Sequence, residues 1–360
     1  MRPLIVDLGR DYRGGQHQAL LLLQGLRARG HAPGLIAVRD SQLARRATAA
    51  DIPVYSVPPA WRRIAAASEI RRLAGSGFAD IVHANEPHAL TSAWLARAHR
   101  TVPVIAARRI ALPLSSNSFS LARYRAASRV VAISRFVQKS VNRSRLPERN
   151  CVVIYDGVEI PARLAPEDRA KARGRFGIPS EAICIGNVAA FVPEKGHAIL
   201  VRAFAKLRAQ FPGCILLLSG DGAGRKIVQE LVQELQLAEA VKFLGTTAEI
   251  GTVLAAMDVF AFPSQEEPLG SALLAAMAGG LPVVAFTRGG VPEAVVNEEN
   301  GLLLDSLDSD LLSAALGRLL ANSEQARRLG ECGRKTIVER FSAERMVDAT
   351  LQLYEKLISN

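Results

Sequence analysis

Aromatic residues are scarce in this 360-residue chain, at 5%, and its basic stretches lack the interleaved rings on which single nucleic-acid strands stack. A nucleic-acid reader is therefore disfavoured. Only four cysteines occur, Cys151, Cys184, Cys214 and Cys332, with no Cys-x-x-Cys pair. That excludes a disulfide scaffold and a zinc ribbon, and it fits a reducing cytoplasm. No apolar run holds the roughly 20 residues of a membrane span. The longest uncharged stretch, 268–287, is broken by Gly279, Gly280 and Pro282, so it reads as a buried helix, a tight turn and a buried strand. The opening segment has neither a long apolar core nor a small-residue cleavage site and does not read as a secretory signal. No internal repeat or low-complexity tract is present, and no Asp-x-Asp pair closes a strand pattern to argue for a metal.

What remains is ordinary globular composition, 49% apolar and 22% charged. At about 150 residues per domain the length predicts two domains. The net charge of +11 is unevenly spread: residues 1–165 carry 25 Lys and Arg against 10 Asp and Glu, whereas the rest carries 20 against 24. A basic first half implies an anionic surface or a phosphorylated molecule as its partner, or else an Arg-rich solvated surface. Three basic stretches are the candidates for an anionic membrane surface: Trp61-Arg62-Arg63-Ile64, Ile70-Arg71-Arg72-Leu73, and 123–145 with seven basic residues.

Short Val- and Ile-rich runs recur at 4–8, 35–38, 52–57, 80–84, 102–106, 129–133 and 152–154, with helical patterns between most of them. The rhythm restarts at 183–188 and continues at 215–219, 241–244, 259–262, 282–286 and 302–304. Strands alternating with helices predict an α/β fold of two tandem, doubly wound, Rossmann-like parallel sheets. The stretch 157–166, with Pro161 and Pro166, reads as the linker, and a ligand cleft is expected between the domains. The expected boundaries are 1–160, 167–340 and a last helix at 341–360, the end of three successive amphipathic helices at 310–320, 323–340 and 343–358.

Doubly wound sheets bind ligands beyond the carboxyl ends of their strands, near helix N-termini whose free N–H groups favour anions. After the first strand, Arg13-Gly14-Gly15-Gln16 precedes a helix expected at 18–29. The paired glycines admit a phosphate close to the backbone, or form a plain tight turn. Gly220-Asp221-Gly222-Ala223-Gly224-Arg225 resembles a dinucleotide fingerprint but places Arg225 where its last glycine belongs. Lys195, in Pro193-Glu194-Lys195-Gly196-His197, would set a point charge at a helix start. Glu266 and Glu267 offer carboxylates to sugar hydroxyls just before the N–H groups of Leu269 and Gly270, or simply decorate a helix start with acids.

These loops, with Asp80-Ile81-Val82-His83-Ala84-Asn85-Glu86-Pro87, Val131-Ala132-Ile133-Ser134-Arg135-Phe136, Asp156-Gly157-Val158, 267–277 and Gly289-Gly290-Val291-Pro292-Glu293, resemble the retaining, nucleotide-sugar-dependent glycosyltransferases of family four. The resemblance implies two Rossmann-like domains in the GT-B arrangement, with the last helix crossing back to the first. It also implies transfer of a sugar from a nucleoside diphosphate donor to a glycan or lipid-linked acceptor, without metal or cofactor, in a cytoplasmic protein at the membrane's inner face. The candidates it marks are Glu267, Lys195, Asn85 and His83 for catalysis, His83 being alternatively a structural core residue. Gly14, Gly15, Lys195, Asp221, Gly222, Arg225, Glu267, Leu269 and Gly270 are candidates for the donor, and Arg109 and Ser134 for the acceptor. Three positions depart from the pattern: Ala275 replaces the family's second Glu, which commonly holds the ribose; Ala190 replaces an Arg that often precedes the Lys; and Asn85 replaces a second His. A sugar epimerase on the same donors and a noncatalytic nucleotide-sugar binder are the competing readings.

Overall fold

Every strand of a parallel sheet covered by helices on both faces is buried on both sides, which is why the strands read as continuous Val, Ile, Leu and Ala runs. In the computed structural model, residues 1–114, 117–144, 150–163, 165–247 and 249–359 are described. Contacts divide the chain into two units, one of Met1–Gly157 with Ala343–Asn360 and one of Val158–Ser342.

The first unit alternates β1 (Pro3–Asp7), α1 (Gly14–Ala28), β2 (Gly34–Val38), α2 (Gln42–Ala49), β3 (Val54–Val57), α3 (Arg62–Gly75), β4 (Ile81–Ala84), α4 (Pro87–Leu95), β5 (Val104–Arg108), α5 (Ser118–Ala126), β6 (Arg129–Ala132), α6 (Arg135–Asn142) and β7 (Cys151–Val153). Its parallel sheet has the order β3-β2-β1-β4-β5-β6-β7. The order reverses between β1 and β4, where Ile5 pairs with His83 and Val6 with Ala84. The second unit runs α7 (Pro166–Arg175), β8 (Cys184–Val188), α8 (His197–Arg208), β9 (Ile215–Ser219), α9 (Arg225–Glu234), β10 (Val241–Gly245), α10 (Ile250–Ala255), β11 (Val259–Phe262), α11 (Ser271–Ala278), β12 (Val283–Phe286), β13 (Leu302–Leu304), α12 (Ser309–Ala321) and α13 (Ser323–Arg340). Its sheet order, β10-β9-β8-β11-β12-β13, reverses between β8 and β11. In doubly wound sheets such a reversal point opens the crevice that takes ligands.

The last helix, α14 (Ala343–Ile358), belongs to the first unit. Met346, Val347 and Tyr354 enter the same core as Leu20, Leu23 and Leu26 of α1. Gly25 makes the close approach possible, because a Cβ there would lie 2.4 Å from Val347 Cγ2. The second unit has its own core, built from β8, β9, α8 and α12 with Phe191, Phe204 and Phe286.

One local expectation changes. The helix expected at 18–29 starts at Gly14, because Arg13 is extended and its N–H donates to Gln16 Oε1 at 3.2 Å, closing the first turn around the glycines. In the stretch Ile70-Arg71-Arg72-Leu73 the two arginines are exposed. Ile70 and Leu73 are buried, Arg72 pairs with Glu69, and Arg71 donates to the carbonyls of Leu95 and Ala96. Arg145, at the end of the third basic stretch, lies outside the described residues. No helix among the described residues is long and apolar enough to cross a membrane.

Candidate functional site

In the second unit, four loops beyond the carboxyl ends of β8, β9, β11 and β12 lock together through glycines. After β8, Pro193–Lys195 forms one 3-10 turn, and Gly196 caps α8 at φ +68°. A side chain at Gly196 would place its Cβ 2.1 Å from the Pro263 carbonyl oxygen, in the loop after β11. The same two loops share backbone bonds: Gln265 N donates to Glu194 O at 2.7 Å, and Gln265 Nε2 to Pro193 O at 3.0 Å. That scaffold brings Lys195 Nζ to 2.5 Å from Glu267 Oε2, Glu267 being buried and Lys195 half-buried. Lys195 therefore stands one turn before α8 rather than in it. Its ammonium carries three N–H donors, and one is committed to Glu267.

Glu267 is also gripped from behind. Gly290 N donates to its carbonyl at 2.8 Å, and Cβ atoms at Gly289 (φ +59°) and Gly290 would lie 2.0 Å from Glu267 O and 2.2 Å from Pro268 O. Leu269 is buried, and Gly270, at φ +100°, begins α11 without a side-chain cap, so N–H groups of its first turn are open to an anion. Ala275 lies half-buried on α11, and Ala190 is exposed after β8.

The glycine-rich loop after β9 owes its glycines to packing. Gly220 and Gly222 have φ of +136° and +156°, and Cβ atoms there would lie 1.9 Å from Ala189 O and 2.6 Å from Phe191 O. Phe191 N donates to Asp221 O at 3.0 Å, joining this loop to the one that carries Lys195. Arg225 begins α9, 3.5 Å from the Asp221 carboxylate and over the Phe243 ring. Gly222 thus serves loop contact, while Asp221 and Arg225 form a polar pair on the same rim.

Sequence reasoning missed His197, the residue after Gly196. Its ring stacks on Phe191 at 4.2 Å, and burial, with Lys195 nearby, pushes its pKa down to about 4. A histidine opening a helix two residues after Lys195 was the available signal.

The first unit builds a chain of polar contacts beyond β1, β4 and β5. Asp7, buried at the end of β1, accepts from Gln16 Nε2 at 3.0 Å and from Asn85 Nδ2 at 2.6 Å. Asn85 Nδ2 also reaches Gly15 O at 3.0 Å, and Asn85 Oδ1 accepts from Arg109 Nη1 at 2.8 Å. Arg109 Nε in turn donates to both oxygens of Asp156 at 3.2 Å. Burial raises the Asp156 carboxyl, against the pull of Arg109. Glu86, after β4, is pushed up to about 7 by burial with Asp7 adding to the rise, although its carboxylate accepts N–H groups of Leu8, His88 and Ala89. Asn85, Gly15 and Arg109 are therefore brought together, joined by Asp7, Gln16 and Asp156, which the sequence reading did not select. A charged residue closing an apolar strand marks Asp7.

Two candidates stand elsewhere. His83 is enclosed in the core, its Nδ1 2.7 Å from the Tyr354 hydroxyl of α14, and burial drives its pKa down to about 3. That placement favours the structural reading over the catalytic one. Ser134 is buried and caps α6, its Oγ accepting from Val137 N at 3.1 Å, which commits one lone pair of its hydroxyl to backbone. Among the described residues no group of three or more His, Cys, Asp or Glu is placed to hold a metal ion.

Comparison with known proteins places both units. Residues 12–160 match the family described as Glycosyltransferase Family 4, and residues 168–336 the family described as Glycosyl transferases group 1. The D-inositol 3-phosphate glycosyltransferase of Stackebrandtia nassauensis is 31% identical over 304 residues, 77% of this chain and 68% of that protein. The lipopolysaccharide core biosynthesis glycosyltransferase LpsE of Rhizobium meliloti is 36% identical over 191 residues, and the match spans about half of each chain, 53% and 54%. The crystal structure of HepE from Anabaena in complex with UDP and glucose shares the fold at a TM-score of 0.85, with 23% identity, 99% of this chain and 100% of that one covered.

Proposed function

The chain belongs to glycosyltransferase family four, and from that membership we propose that it transfers a glycosyl group, with retention, from a nucleoside diphosphate sugar to an acceptor hydroxyl in the synthesis of a cell-envelope glycan or glycolipid. The observation that carries the reading is the Lys195–Glu267 pair, set beside the uncapped start of α11 at the reversal point of the second sheet. One loop cluster thus offers a carboxylate for sugar hydroxyls, an ammonium for a phosphate and backbone N–H groups for the same anion.

In the proposed step the bond from the anomeric carbon to the diphosphate oxygen breaks while the acceptor oxygen bonds to that carbon on the same face. The acceptor's proton passes to the departing phosphate oxygen. Charge grows on the diphosphate, so fixed donors aimed at it, Lys195 and the first N–H groups of α11, lower the barrier most. Glu267 orients the sugar, and Asp221 and Arg225 line the donor rim. The diphosphate is its own leaving group and proton acceptor, so the scheme invokes neither metal nor cofactor.

In the first unit, Gly14 and Gly15 sit in the first turn of α1, where N–H groups favour an anion. Arg109, fixed by Asn85 and Asp156, is the acceptor-side cation. The relative named for lipopolysaccharide core biosynthesis supports an envelope acceptor, the one named for D-inositol 3-phosphate supports a phosphorylated acceptor, and the basic first half supports work at the cytoplasmic face of a membrane. Incubation with a panel of nucleoside diphosphate sugars separates the readings. Glycosylated acceptor supports transfer, an isomerised sugar supports an epimerase, and donor binding without turnover supports the noncatalytic binder that Ala275 and Ala190 favour.

A further inference from the structure

Helices α3, α4 and α5 all begin at the carboxyl edge of the first sheet, and a hollow of about 440 Å³ opens among the first turns of α3 and α5 and the length of α4. That volume is within the range of small-molecule sites. Its apolar lining is unusually exposed for so compact a patch: Trp61 70%, Ile64 62%, Phe119 48% and Leu95 41%. Large apolar side chains scattered singly over a surface call for no explanation, but four around one concavity mark a binding surface.

The charges at the hollow have one sign. Arg62 and Arg63 line it, and no carboxylate does among the described residues. Arg123 closes one side, its guanidinium 4.8 Å from the centre of the Phe119 ring and its Nη1 bonded to Pro87 O and Thr91 Oγ1. The Nε atoms of Arg62 and Arg123 are buried without a hydrogen-bond partner. His88, also in the lining, is held below its ordinary pKa by burial and then by Arg62, Arg63 and Arg123. Three guanidinium groups thus bear on one side chain, His88, and two of them hold a buried N–H donor that an anion would match.

We propose that this hollow seats a phosphate-bearing lipid, its hydrocarbon chain laid along Trp61, Ile64, Leu95 and Phe119 and its phosphate held among Arg62, Arg63 and Arg123. A sugar or a free anion uses only part of this surface: the first leaves the apolar wall and cationic rim unmatched, the second leaves the wall wet. A lipid phosphate satisfies both at once by charge complementarity and apolar burial. The inference rests on the transfer reading only in naming this lipid the acceptor.

Its test is a binding measurement made apart from turnover. Calorimetric titration of the full-length protein with dodecyl phosphate, inorganic phosphate and dodecanol separates chain from charge. Dodecyl phosphate is expected to bind at least about tenfold more tightly than either of the others. Trp61→Ala with Phe119→Ala, both at exposed positions, is expected to remove about tenfold or more of that affinity, as is Arg63→Gln, with circular dichroism and UDP binding unchanged. Equal binding of inorganic and dodecyl phosphate, or undiminished binding by the Trp61 and Phe119 variant, overturns the proposal. Intact dodecyl phosphate binding in a protein that transfers no sugar leaves the lipid site standing and instead counts against the transfer reading.

Discussion

Lys195 and Glu267 lie 72 residues apart in sequence, yet their charged ends meet at 2.5 Å where the order of the second sheet reverses. The pair is a partition of charge as well as a contact. Glu267 occupies one donor of an ammonium that the account also assigns to a diphosphate, so the two substitutions have different signatures. Lys195→Ala should weaken nucleoside diphosphate binding far more than nucleoside binding. Glu267→Gln should leave nucleoside diphosphate affinity equal or higher, because Lys195 loses its competing anion, while kcat/KM for the sugar donor falls by about 1.5–3 kcal/mol in transition-state terms. Calorimetry with UDP and uridine, beside steady-state kinetics, reads both. Parallel losses of UDP affinity in the two variants count against this division of roles.

The grip of Gly290 on this loop should be visible in stability. A Cβ there meets the carbonyl oxygen of Pro268 at 2.2 Å, and backbone cannot swing aside as a side chain can. Gly290→Ala is expected to cost about 1–3 kcal/mol. Gly25→Ala meets Val347 Cγ2 at 2.4 Å, a methyl group and not backbone, so relief needs only movement of one helix side chain, and it should cost less. Urea unfolding of the two variants gives the order directly; a larger loss at Gly25 contradicts the account.

Most of the fold was legible in the sequence, and for one reason. A strand buried on both faces tolerates few polar residues, so the thirteen strands among the described residues stood out as Val-, Ile- and Leu-rich runs and their alternation with helices gave two doubly wound sheets. The start of α1 was not legible, because Gly14 and Gly15 read as a break while the bond from Arg13 N to Gln16 Oε1 that closes the turn is invisible in composition. Lys195 and Glu267 were separately legible as charges at helix starts after strands. Their pairing was not, since it depends on Gly196 letting the chain pass Pro263. Gly220 and Gly222 resembled part of a dinucleotide fingerprint, and their backbone freedom admits the neighbouring carbonyls of Ala189 and Phe191. Asp156 joined the site only through Arg109, a partner 47 residues away.

The Arg109–Asp156 pair predicts a rescue. Burial alone raises the Asp156 carboxyl, and Arg109 opposes that rise. Arg109→Ala should therefore destabilise the first unit, by an amount approaching the ~3–5 kcal/mol of a broken buried pair. A folded pKa raised above the unfolded one makes stability fall as pH rises through it, so the loss should be greater at pH 7 than at pH 5. Adding Asp156→Asn should recover most of it. A double variant as unstable as Arg109→Ala alone contradicts this.

His83 carries a pH signature of the opposite sign. It stays neutral in the folded state down to about 3, whereas the unfolded chain takes up its proton near the ordinary value of 6.5. Between those values the unfolded state binds more protons, so this residue's contribution is full above 6.5 and is lost as pH falls, by about 1.4 kcal/mol per pH unit. His83→Gln should flatten the stability profile between pH 6.5 and 4 relative to the parent. Denaturant midpoints over that range check it, and an unchanged slope places the proton elsewhere.

The central claim is that the Lys195–Glu267 cluster holds a nucleoside diphosphate sugar during transfer. It is tested most directly by mass spectrometry of a phosphate-bearing lipid acceptor incubated with nucleoside diphosphate sugars and either the parent protein or Glu267→Gln. The account predicts an acceptor heavier by one glycosyl residue, formed from one of the donors by the parent and reduced about tenfold or more in the variant. Equal yields of glycosylated acceptor from parent and variant would contradict it.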